Sequence, residues 1–272
     1  LNSFDIDAIF SAIEKYNGFV MGAVPTLYVY MLLHPDPGKY DLSNMKYWFS
    51  GSAPLTQNTY DSFKEKFGGE IIEGWGLTEA GANNSVNPPD GTKKVGSIGL
   101  PMKGTEMKIV DFDGNDISAG EEGEILISGP MLMKGYWNQP EATAEVLKDG
   151  WLHTGDVGYQ DEDGYFFITE RKKDIIIKGG ENIAPRQIEE VLYDHPKISE
   201  AAVVGMKDEV YGEEIKAFVV LNPGETAEEV EIIEYCVTWL KRFKSPKRVT
   251  FLEALPKNLV GKILKKELRK MG

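Results

Sequence analysis

Cysteine and histidine are scarce in this chain, which has one Cys and three His among 272 residues. A single cysteine excludes an intrachain disulfide and agrees with a reducing compartment. Cys236 lies at helical spacing from neighbouring apolar residues, which predicts a core thiol rather than a nucleophile. The sequence shows no Ser-His-Asp pattern, and His153 has no second metal ligand at a fitting spacing, so it is predicted to be structural.

Long hydrophobic runs are also absent. The longest mostly apolar stretch, residues 20–33, is interrupted by Pro25 and is too short to span a bilayer as a helix. No signal peptide opens the sequence. With 42% hydrophobic residues and a length that suits about two domains, the sequence predicts a globular cytoplasmic protein with at most peripheral membrane contact.

Charge is unevenly distributed along the chain. The net charge is −13, yet residues 241–272 carry eleven Lys and Arg against two Glu. A basic end on an acidic protein indicates an anionic partner or a docking face. Because few aromatic residues and no nucleic-acid-binding motif accompany these cations, we expect no nucleic acid partner and favour small polyanionic ligands.

One segment combines clustered charge, an apolar strand and a glycine turn within sixteen residues, from Glu170 to Pro185. The run Ile175 to Ile177 favours a strand, while Gly179-Gly180 lets backbone come close to a ligand. Pro185 can open a helix at its first position. Alone, this pattern also fits a charged loop between a strand and a helix, so its interpretation depends on other segments.

Four further segments occur in a defined order around it. They are Gly51-Ser52-Ala53-Pro54-Leu55, Gly74-Trp75-Gly76-Leu77-Thr78-Glu79, Thr154-Gly155-Asp156, and Pro256-Lys257-Asn258-Leu259-Val260-Gly261-Lys262-Ile263-Leu264. Together the five segments resemble the adenylate-forming (AMP-binding) superfamily. The residues at 96–101, 135–138, 150–156 and 261–269 are similar to those of fatty-acyl-CoA synthetases (long-chain-fatty-acid–CoA ligases). The resemblance covers essentially the whole chain.

This resemblance implies an acid-thiol ligase that activates a carboxylic acid, expected to be a fatty acid, with ATP and then transfers the acyl group to coenzyme A. Family members carry, upstream of these segments, a Ser/Thr/Gly-rich loop ending in Lys for the outer phosphates of ATP. No such run occurs here, and the chain begins at Leu1. We therefore expect a C-terminal half of a longer enzyme that is inactive or weak alone. A homodimer through the missing half remains open.

Alternating helix and strand patterns predict an α/β fold. Residues 1–85 predict a layer with a largely parallel sheet, and residues 86–172, rich in Gly, Pro and Asp-Gly turns, predict a β-barrel-like subdomain. Residues 173–272 predict a compact α+β domain, mobile by resemblance. Within it we expect a long helix near residues 227–243 and a final basic helix from Gly261.

Parallel sheets bind ligands at the carboxyl ends of their strands, where two of the segments fall. The resemblance implies that Thr78 binds nucleotide phosphate, that Glu79 binds Mg²⁺, and that Trp75, where the family commonly has Tyr, stacks on adenine. A Thr-Glu helix cap is the alternative for the first two. The resemblance also implies a backbone wall at the other face of adenine, formed by Gly51, Ser52, Ala53 and Pro54. It further implies an open path for the acyl group, lined by Gly74 and Gly76.

Two further positions are implied to contact the nucleotide. Asp156 would accept hydrogen bonds from the ribose hydroxyls, and Arg171 would reach the ribose or the α-phosphate with its fork of donors. An ion pair between these two residues is the alternative. Lys262 is the implied catalytic cation, since a long flexible ammonium can reach the carboxylate and α-phosphate oxygens during adenylation and then leave.

Lys173 matches the hinge position of the family, where the small domain is thought to rotate between the two half-reactions. The rotation would bring Gly179-Gly180 toward the active site, where glycine leaves room for the pantetheine arm of coenzyme A. The resemblance therefore implies ATP, Mg²⁺ and coenzyme A as the cofactors and co-substrates.

Several alternatives differ at the position of Leu77. Peptide-synthetase adenylation domains usually have Pro there, and acetate-type enzymes tend to have Gln. An aryl or 4-coumarate-type CoA ligase remains open, because its motifs overlap heavily with these. From a different class, a nucleotide-binding fragment without turnover also remains open.

Overall fold

A computed structural model describes residues 5–257 and 263–271 of the chain. The chain divides into two compact units, Leu1–Ile168 and Thr169–Gly272. Each unit mixes helices and strands, so the predicted α/β class is confirmed. The finer division at residue 85 and the hinge at Lys173 stay predictions. In the described ranges no helix is both long enough and apolar enough to cross a bilayer.

The first sheet of the first unit has five strands and is flanked in sequence by three helices. The strands are β1 (Val20–Ala23), β2 (Tyr47–Ser50), β3 (Ile71–Trp75), β4 (Ser85–Val86) and β5 (Leu100–Pro101), and the helices are α1 (Ile6–Lys15), α2 (Pro25–Leu33) and α3 (Gln57–Phe67). The spatial order is β1-β2-β3-β4-β5. The pairs β1–β2 and β2–β3 are parallel, and the pairs β3–β4 and β4–β5 are antiparallel. Among the described residues β1 pairs only with β2, so β1 is an edge strand.

The β2-α3-β3 connection positions the candidate site. Helix α3 begins behind Thr56, whose side-chain oxygen accepts a hydrogen bond from the Thr59 N–H over 3.2 Å. Its apolar face packs Tyr60 and Phe63 into a core with Trp48 of β2. A crossover helix between two parallel strands returns the chain to the same end of the sheet, so the residues after β2 and β3 share one edge.

The second sheet of the chain has the order β10-β9-β7-β6, with β8 paired to β9. Its elements are β6 (Glu106–Val110), β7 (Gly123–Ser128), α4 (Pro140–Val146), β8 (Leu147–Lys148), β9 (Trp151–Gln160) and β10 (Phe166–Arg171). The pairs β6–β7, β7–β9 and β8–β9 are antiparallel. These strands lie within residues 86–172, and the β-barrel-like subdomain expected there stays a prediction.

The second unit is built on a long antiparallel hairpin, β13–β14, with a buried apolar cluster on each face, the larger of which contains Cys236. Its elements are β11 (Ile176–Lys178), β12 (Glu181–Ile183), α5 (Pro185–Tyr193), β13 (Ile198–Asp208), β14 (Gly212–Leu221), α6 (Glu229–Trp239), β15 (Arg248–Phe251) and α7 (Lys265–Leu268). The sheet order is β12-β11-β14-β13, and β15 lies parallel to β14. Cys236 is buried in this core, and burial raises the pKa of its thiol to about 11, as expected of an unreactive cysteine.

Two helix boundaries differ from the prediction. Helix α6 ends at Trp239 rather than near residue 243, and a separate 3₁₀ turn, Arg242–Lys244, follows it. Leu240, the residue after α6, is extended with φ −116° and ψ 159°, so the helical conformation stops there. The final basic helix begins at Lys265 rather than Gly261, because Ile263 pairs with Lys257 in an isolated β-bridge.

Candidate functional site

The loop after β2 and the end of β3 lie side by side. A Cβ atom on Gly51 would stand 3.1 Å from the carbonyl oxygen of Gly74. Ser52, Ala53 and Pro54, which follow Gly51, are exposed. Beneath them Ser50 is buried, and its hydroxyl has no hydrogen-bond partner within the described ranges. The structure therefore brings together the two segments that the sequence predicts to flank adenine.

Glu73 anchors two loops at this edge, a role that the sequence analysis did not assign. Its Oε1 accepts a hydrogen bond from the Leu55 N–H over 3.4 Å, and its Oε2 accepts one from the Gly96 N–H over 2.7 Å. A carboxylate that accepts backbone N–H groups from two loops fixes both relative to β3. The one sequence feature that could have indicated this role is the position of Glu73 directly before the Gly74-Trp75-Gly76 segment.

Gly76 is required by a close approach of backbone to backbone. A Cβ atom at this position would stand 1.9 Å from the carbonyl oxygen of Ala82. At Gly74 the nearest atom to an added Cβ would be the Ser85 carbonyl oxygen of β4, at 3.2 Å. A side chain at either position would therefore meet the protein itself, which is a reason for glycine that the predicted acyl path did not include.

Trp75 and Asp156 are joined by a hydrogen bond, although 81 residues separate them in sequence. The indole Nε1–H donates to Asp156 Oδ2 over 3.0 Å. The ring is partly buried and packs against two apolar clusters of the first unit, one around Ile127 and Leu152 and one around Ile125 and Phe166. Trp75 therefore supports the Asp156 carboxylate, a contact that the predicted stacking on adenine did not include.

Asp156 lies at a β-bulge in β9. The register of β7 against β9 shifts between Glu124 and Leu126. Inside the bulge the Asp156 N–H donates to Thr154 Oγ1 over 3.0 Å, and the Thr154 hydroxyl donates to the Ile125 carbonyl over 2.7 Å. Bulges re-aim side chains and are common beside active sites. Here the bulge and the indole together define where the carboxylate points.

Glu124 holds the same segment from the neighbouring strand. It is buried, its Oε1 accepts a hydrogen bond from the Gly155 N–H over 3.1 Å, and its Oε2 lies 3.1 Å from His153 Nδ1. His153 is thus paired with a carboxylate of the strand framework. This pairing agrees with the structural role predicted for that histidine.

Thr78 and Glu79 lie on a single 3₁₀ turn, Thr78–Ala80, directly after β3. The turn begins behind Leu77, which makes no side-chain cap, so the Thr-Glu capping alternative is not present. Thr78 is exposed, and Glu79 is half-buried with its Oε1 accepting a hydrogen bond from the Tyr136 hydroxyl over 2.9 Å. This bond to a carboxylate raises the pKa of Tyr136, with a smaller contribution from burial.

The turn Thr78–Ala80 offers a single carboxylate, that of Glu79, as a ligand for a magnesium ion. The described part of the chain contains no group of three or more His, Cys, Asp or Glu arranged to hold a metal. Mg²⁺ is often bound by one or two carboxylates together with substrate phosphates rather than by an all-protein cage. The Glu79 carboxylate, held by Tyr136 beside the exposed Thr78 hydroxyl, fits that mode of binding.

The second unit contains the remaining predicted residues. Arg171 ends β10 and is half-buried, with its N–H donating to Glu170 Oε1 over 2.9 Å. Lys173 is exposed in a 3₁₀ turn, Lys172–Asp174. Arg269 fastens that turn by an ion pair with Asp174 over 2.6 Å. The contact of Arg171 with a nucleotide bound at the first unit stays a prediction.

Gly179 and Gly180 form the exposed turn of the β11–β12 hairpin, with φ angles of 57° and 85°. L-residues with side chains rarely adopt such φ values, so the turn favours glycine at both positions. Lys262, the predicted catalytic cation, lies outside the described residues.

Comparison with protein families matches both units. A family model described as "AMP-binding enzyme" matches residues 2–137, and one described as "AMP-binding enzyme C-terminal domain" matches residues 187–262. This chain is a member of the AMP-binding enzyme family. The resemblance to this family that the sequence motifs indicate is thus confirmed.

Within the AMP-binding family the chain is 45% identical over 269 residues to a long-chain-fatty-acid–CoA ligase of Bacillus subtilis (strain 168), covering 98% of this chain and 48% of that protein. It is 40% identical to a feruloyl-CoA synthase of Amycolatopsis sp, covering 99% of this chain and 55% of that one. The crystal structure of ATP-bound MatB from Rhodopseudomonas palustris matches with a TM-score of 0.89 at 35% identity, covering 100% of this chain and 54% of MatB. The chain spans about half the length of the relatives it matches.

Replacing Trp75 with phenylalanine tests whether the indole hydrogen bond to Asp156 stabilises this AMP-binding family member. The ring remains, but a buried carboxylate loses a donor, so we expect a loss of about 1–3 kcal/mol in unfolding free energy. Urea unfolding followed by circular dichroism measures it. The matched control is Trp137→Phe, because Trp137 is 87% exposed and its replacement should change stability by less than about 0.5 kcal/mol. Equal effects of the two substitutions would contradict the supporting role.

Proposed function

We propose that the protein carrying this chain is an acid-thiol ligase with two half-reactions. In the first, a carboxylate oxygen attacks the α-phosphorus of ATP, the bond to the β-phosphate breaks, and pyrophosphate leaves. In the second, the thiol of coenzyme A loses its proton to solvent, and its sulfur forms a bond to the acyl carbon of the adenylate. The bond from that carbon to the phosphate oxygen breaks, and AMP leaves. Both steps develop negative charge on oxygen, so the site needs cations and preorganised donors rather than a covalent nucleophile.

The observation that carries this proposal is the Trp75–Asp156 contact at the carboxyl edge of the first sheet. Trp75, the last residue of β3, donates its indole N–H to Asp156 Oδ2. The same strand lies beside the loop after β2, since a Cβ atom on Gly51 would stand 3.1 Å from the Gly74 carbonyl oxygen. A carboxylate can accept about four hydrogen bonds, so Asp156 can accept ribose hydroxyls while keeping the indole donor. Because Asp156 is only 1% exposed, a ribose that reaches it must displace its cover.

The turn after β3 supports the phosphate end of the same site. The exposed Thr78 hydroxyl would donate to the nucleotide phosphate, and Glu79 would hold Mg²⁺ with phosphate oxygens as the other ligands. When bound, that ion would offset the negative charge of the phosphates. Lys262 and Arg171 would add cations from the second unit. Gly179 and Gly180 would face the coenzyme A arm in the second half-reaction.

We propose a fatty acid as the carboxylic acid. The support is the similarity to the long-chain-fatty-acid–CoA ligase of Bacillus subtilis, which is 45% identical to this chain. An aryl acid is the second candidate, favoured by the 40% identity to a feruloyl-CoA synthase. Coupled assays with a saturated fatty acid and with ferulate, on the full-length protein, would distinguish the two through the ratio of their kcat/KM values.

The decisive experiment pairs binding with turnover on the same sample. Isothermal titration with AMP and with an acyl-adenylate analogue is run beside a pyrophosphate-release assay, on this chain and on the full-length protein that contains it. We expect the chain to bind without releasing pyrophosphate and the full-length protein to do both. Binding without release by the full-length protein would favour the non-catalytic nucleotide-binding alternative.

Asp156→Asn provides the residue-level test of the same proposal. The amide keeps the shape and an acceptor for Trp75 but loses the charge, so AMP affinity should fall about tenfold or more, the loss typical of a hydrogen bond to a charged group. The matched control is Asp113→Asn, because Asp113 is an exposed turn residue of the first unit. Unchanged AMP affinity in Asp156→Asn would refute the role proposed for that carboxylate.

A further inference from the structure

The glycine turn of the second unit rests on two aromatic rings. The Gly179 N–H donates to the Tyr211 carbonyl over 2.8 Å. A Cβ atom on Gly179 would stand 3.3 Å from the Tyr211 ring and 3.4 Å from the Phe243 ring. The two rings meet edge to face, with centroids 6.0 Å apart. We call Tyr211 and Phe243 the ring floor, since they form the surface against which this turn packs.

A buried lysine holds the ring floor together. Lys178 precedes the turn, is 5% exposed, and donates from Nζ to the Phe243 carbonyl over 2.9 Å. The same ammonium lies 4.7 Å from the Phe243 ring centroid and 5.6 Å from that of Tyr211. Both distances are within the range of cation–π attraction, which strengthens when the cation is removed from water. One ammonium therefore contacts both members of the floor.

The charge of Lys178 is balanced by a buried carboxylate on β14. Glu214 is 8% exposed, and its Oε1 lies 2.5 Å from Lys178 Nζ. Its Oε2 lies 3.8 Å from Lys247 Nζ. Burying two charges is expensive, and apolar side chains of similar volume often stabilise a fold as well or better. A buried pair is therefore better explained by the geometry that it specifies than by stability.

The geometry that Lys178 specifies is the position of the glycine turn. The ammonium binds the Phe243 carbonyl and both rings, and the rings contact Gly179 directly. Without the cation, the ring floor would keep its apolar contacts. It would lose the hydrogen bond from Lys178 to the Phe243 carbonyl, which fixes the distance between the rings and the turn. A displacement of about 1 Å at a reacting site can cost about 10²-fold in rate.

We infer that Lys178 is a positioning residue for the thioester half-reaction. It acts through the ring floor to hold Gly179-Gly180 where the arm of coenzyme A must pass. This inference rests on the proposed function, in which the glycine turn takes part only in the second half-reaction. Adenylation, which does not use the turn, should be independent of Lys178.

The test uses Lys178→Met in the full-length protein, with the half-reactions measured separately. We expect pyrophosphate release during adenylation to be unchanged, and KM for coenzyme A, with supplied acyl-adenylate, to rise about tenfold or more. The matched control is Lys207→Met, an exposed lysine on β13 of the same unit, which should change neither value. Equal loss in both half-reactions, or no change in KM, would overturn the inference.

A second variant separates the loss of positioning from misfolding. A second measurement, which does not depend on catalysis, separates failure of this inference from failure of the proposed function. Lys178→Met with Glu214→Leu removes both buried charges, so no carboxylate is left unpaired with Lys178. Hydrogen exchange at the Gly179 N–H, measured by NMR or mass spectrometry, should become at least about tenfold faster in both variants, since a ring floor that the ammonium no longer fixes holds the Gly179 bond to the Tyr211 carbonyl less firmly. If exchange at the Gly179 N–H is unchanged in the variants, the positioning role of Lys178 is wrong, whatever the enzyme assays show. If the wild-type protein forms no adenylate, that result by itself refutes only the proposed function.

Discussion

Replacing Lys262 with alanine in the full-length protein should lower the rate of acyl-adenylate formation by about 10²–10³-fold, the loss typical of removing one donor to charge that develops in a transition state. The physical reason is that an ammonium on a flexible stem can offset the charge on the attacking carboxylate and on the α-phosphate oxygens. Thioester formation from supplied acyl-adenylate should proceed at nearly the wild-type rate. Pyrophosphate release and acyl-CoA formation measure the two steps separately.

The control for Lys262 is a lysine of the same basic tail. Lys266 is exposed on α7, so Lys266→Ala should leave both half-reactions unchanged. If Lys262→Ala reduces both steps equally, Lys262 acts on the fold or on both steps, and its assignment to adenylation is wrong.

Replacing Gly76 with alanine should unfold the first unit or destabilise it by at least about 3 kcal/mol, because an added Cβ has no free space. The Ala82 carbonyl oxygen would lie 1.9 Å from that carbon. The oxygen belongs to the main chain, and the position of Cβ is fixed by the main chain, so no side-chain rotation can relieve the clash. Urea unfolding, followed by tryptophan fluorescence, measures the loss. AMP binding should disappear with it, because the turn that carries Thr78 and Glu79 begins two residues after Gly76.

Gly22→Ala is the matched control for this substitution. Gly22 lies in β1 of the same sheet, and a Cβ atom there would meet no atom within 4 Å. Its replacement should change stability by less than about 1 kcal/mol in either direction. If Gly76→Ala is as stable as Gly22→Ala, the close approach at residue 76 does not exist in solution.

Much of the candidate site could be predicted because its signals are local. The parallel pairing of β1, β2 and β3 and the rule that ligands bind at strand carboxyl ends lead directly to Gly51–Pro54 and to the Gly74-Trp75-Gly76 segment. Both segments do lie at one edge of the sheet. A short motif with its strand and turn neighbours thus specifies a position in the fold.

The contacts between distant segments could not be predicted in the same way. The Trp75–Asp156 hydrogen bond spans 81 residues, and the Tyr136–Glu79 bond spans 57. The first depends on the register of β7 against β9 and on the bulge at Asp156, and the second joins a 3₁₀ turn to a distant loop, so no local pattern predicts either. Lys178 shows the same difficulty, since a lysine between an isoleucine and a glycine pair is expected at the surface, whereas the structure buries it.

The edge position of β1 has a practical consequence for any sample of this chain. Phe19 and Val20 are 50% and 55% exposed, and the outer side of β1 has no neighbouring strand among the described residues. Unpaired main-chain groups beside apolar side chains act as a template for strand addition between molecules. Aggregation at high concentration is therefore the hazard to control in light-scattering checks before any affinity measured on the isolated chain is interpreted.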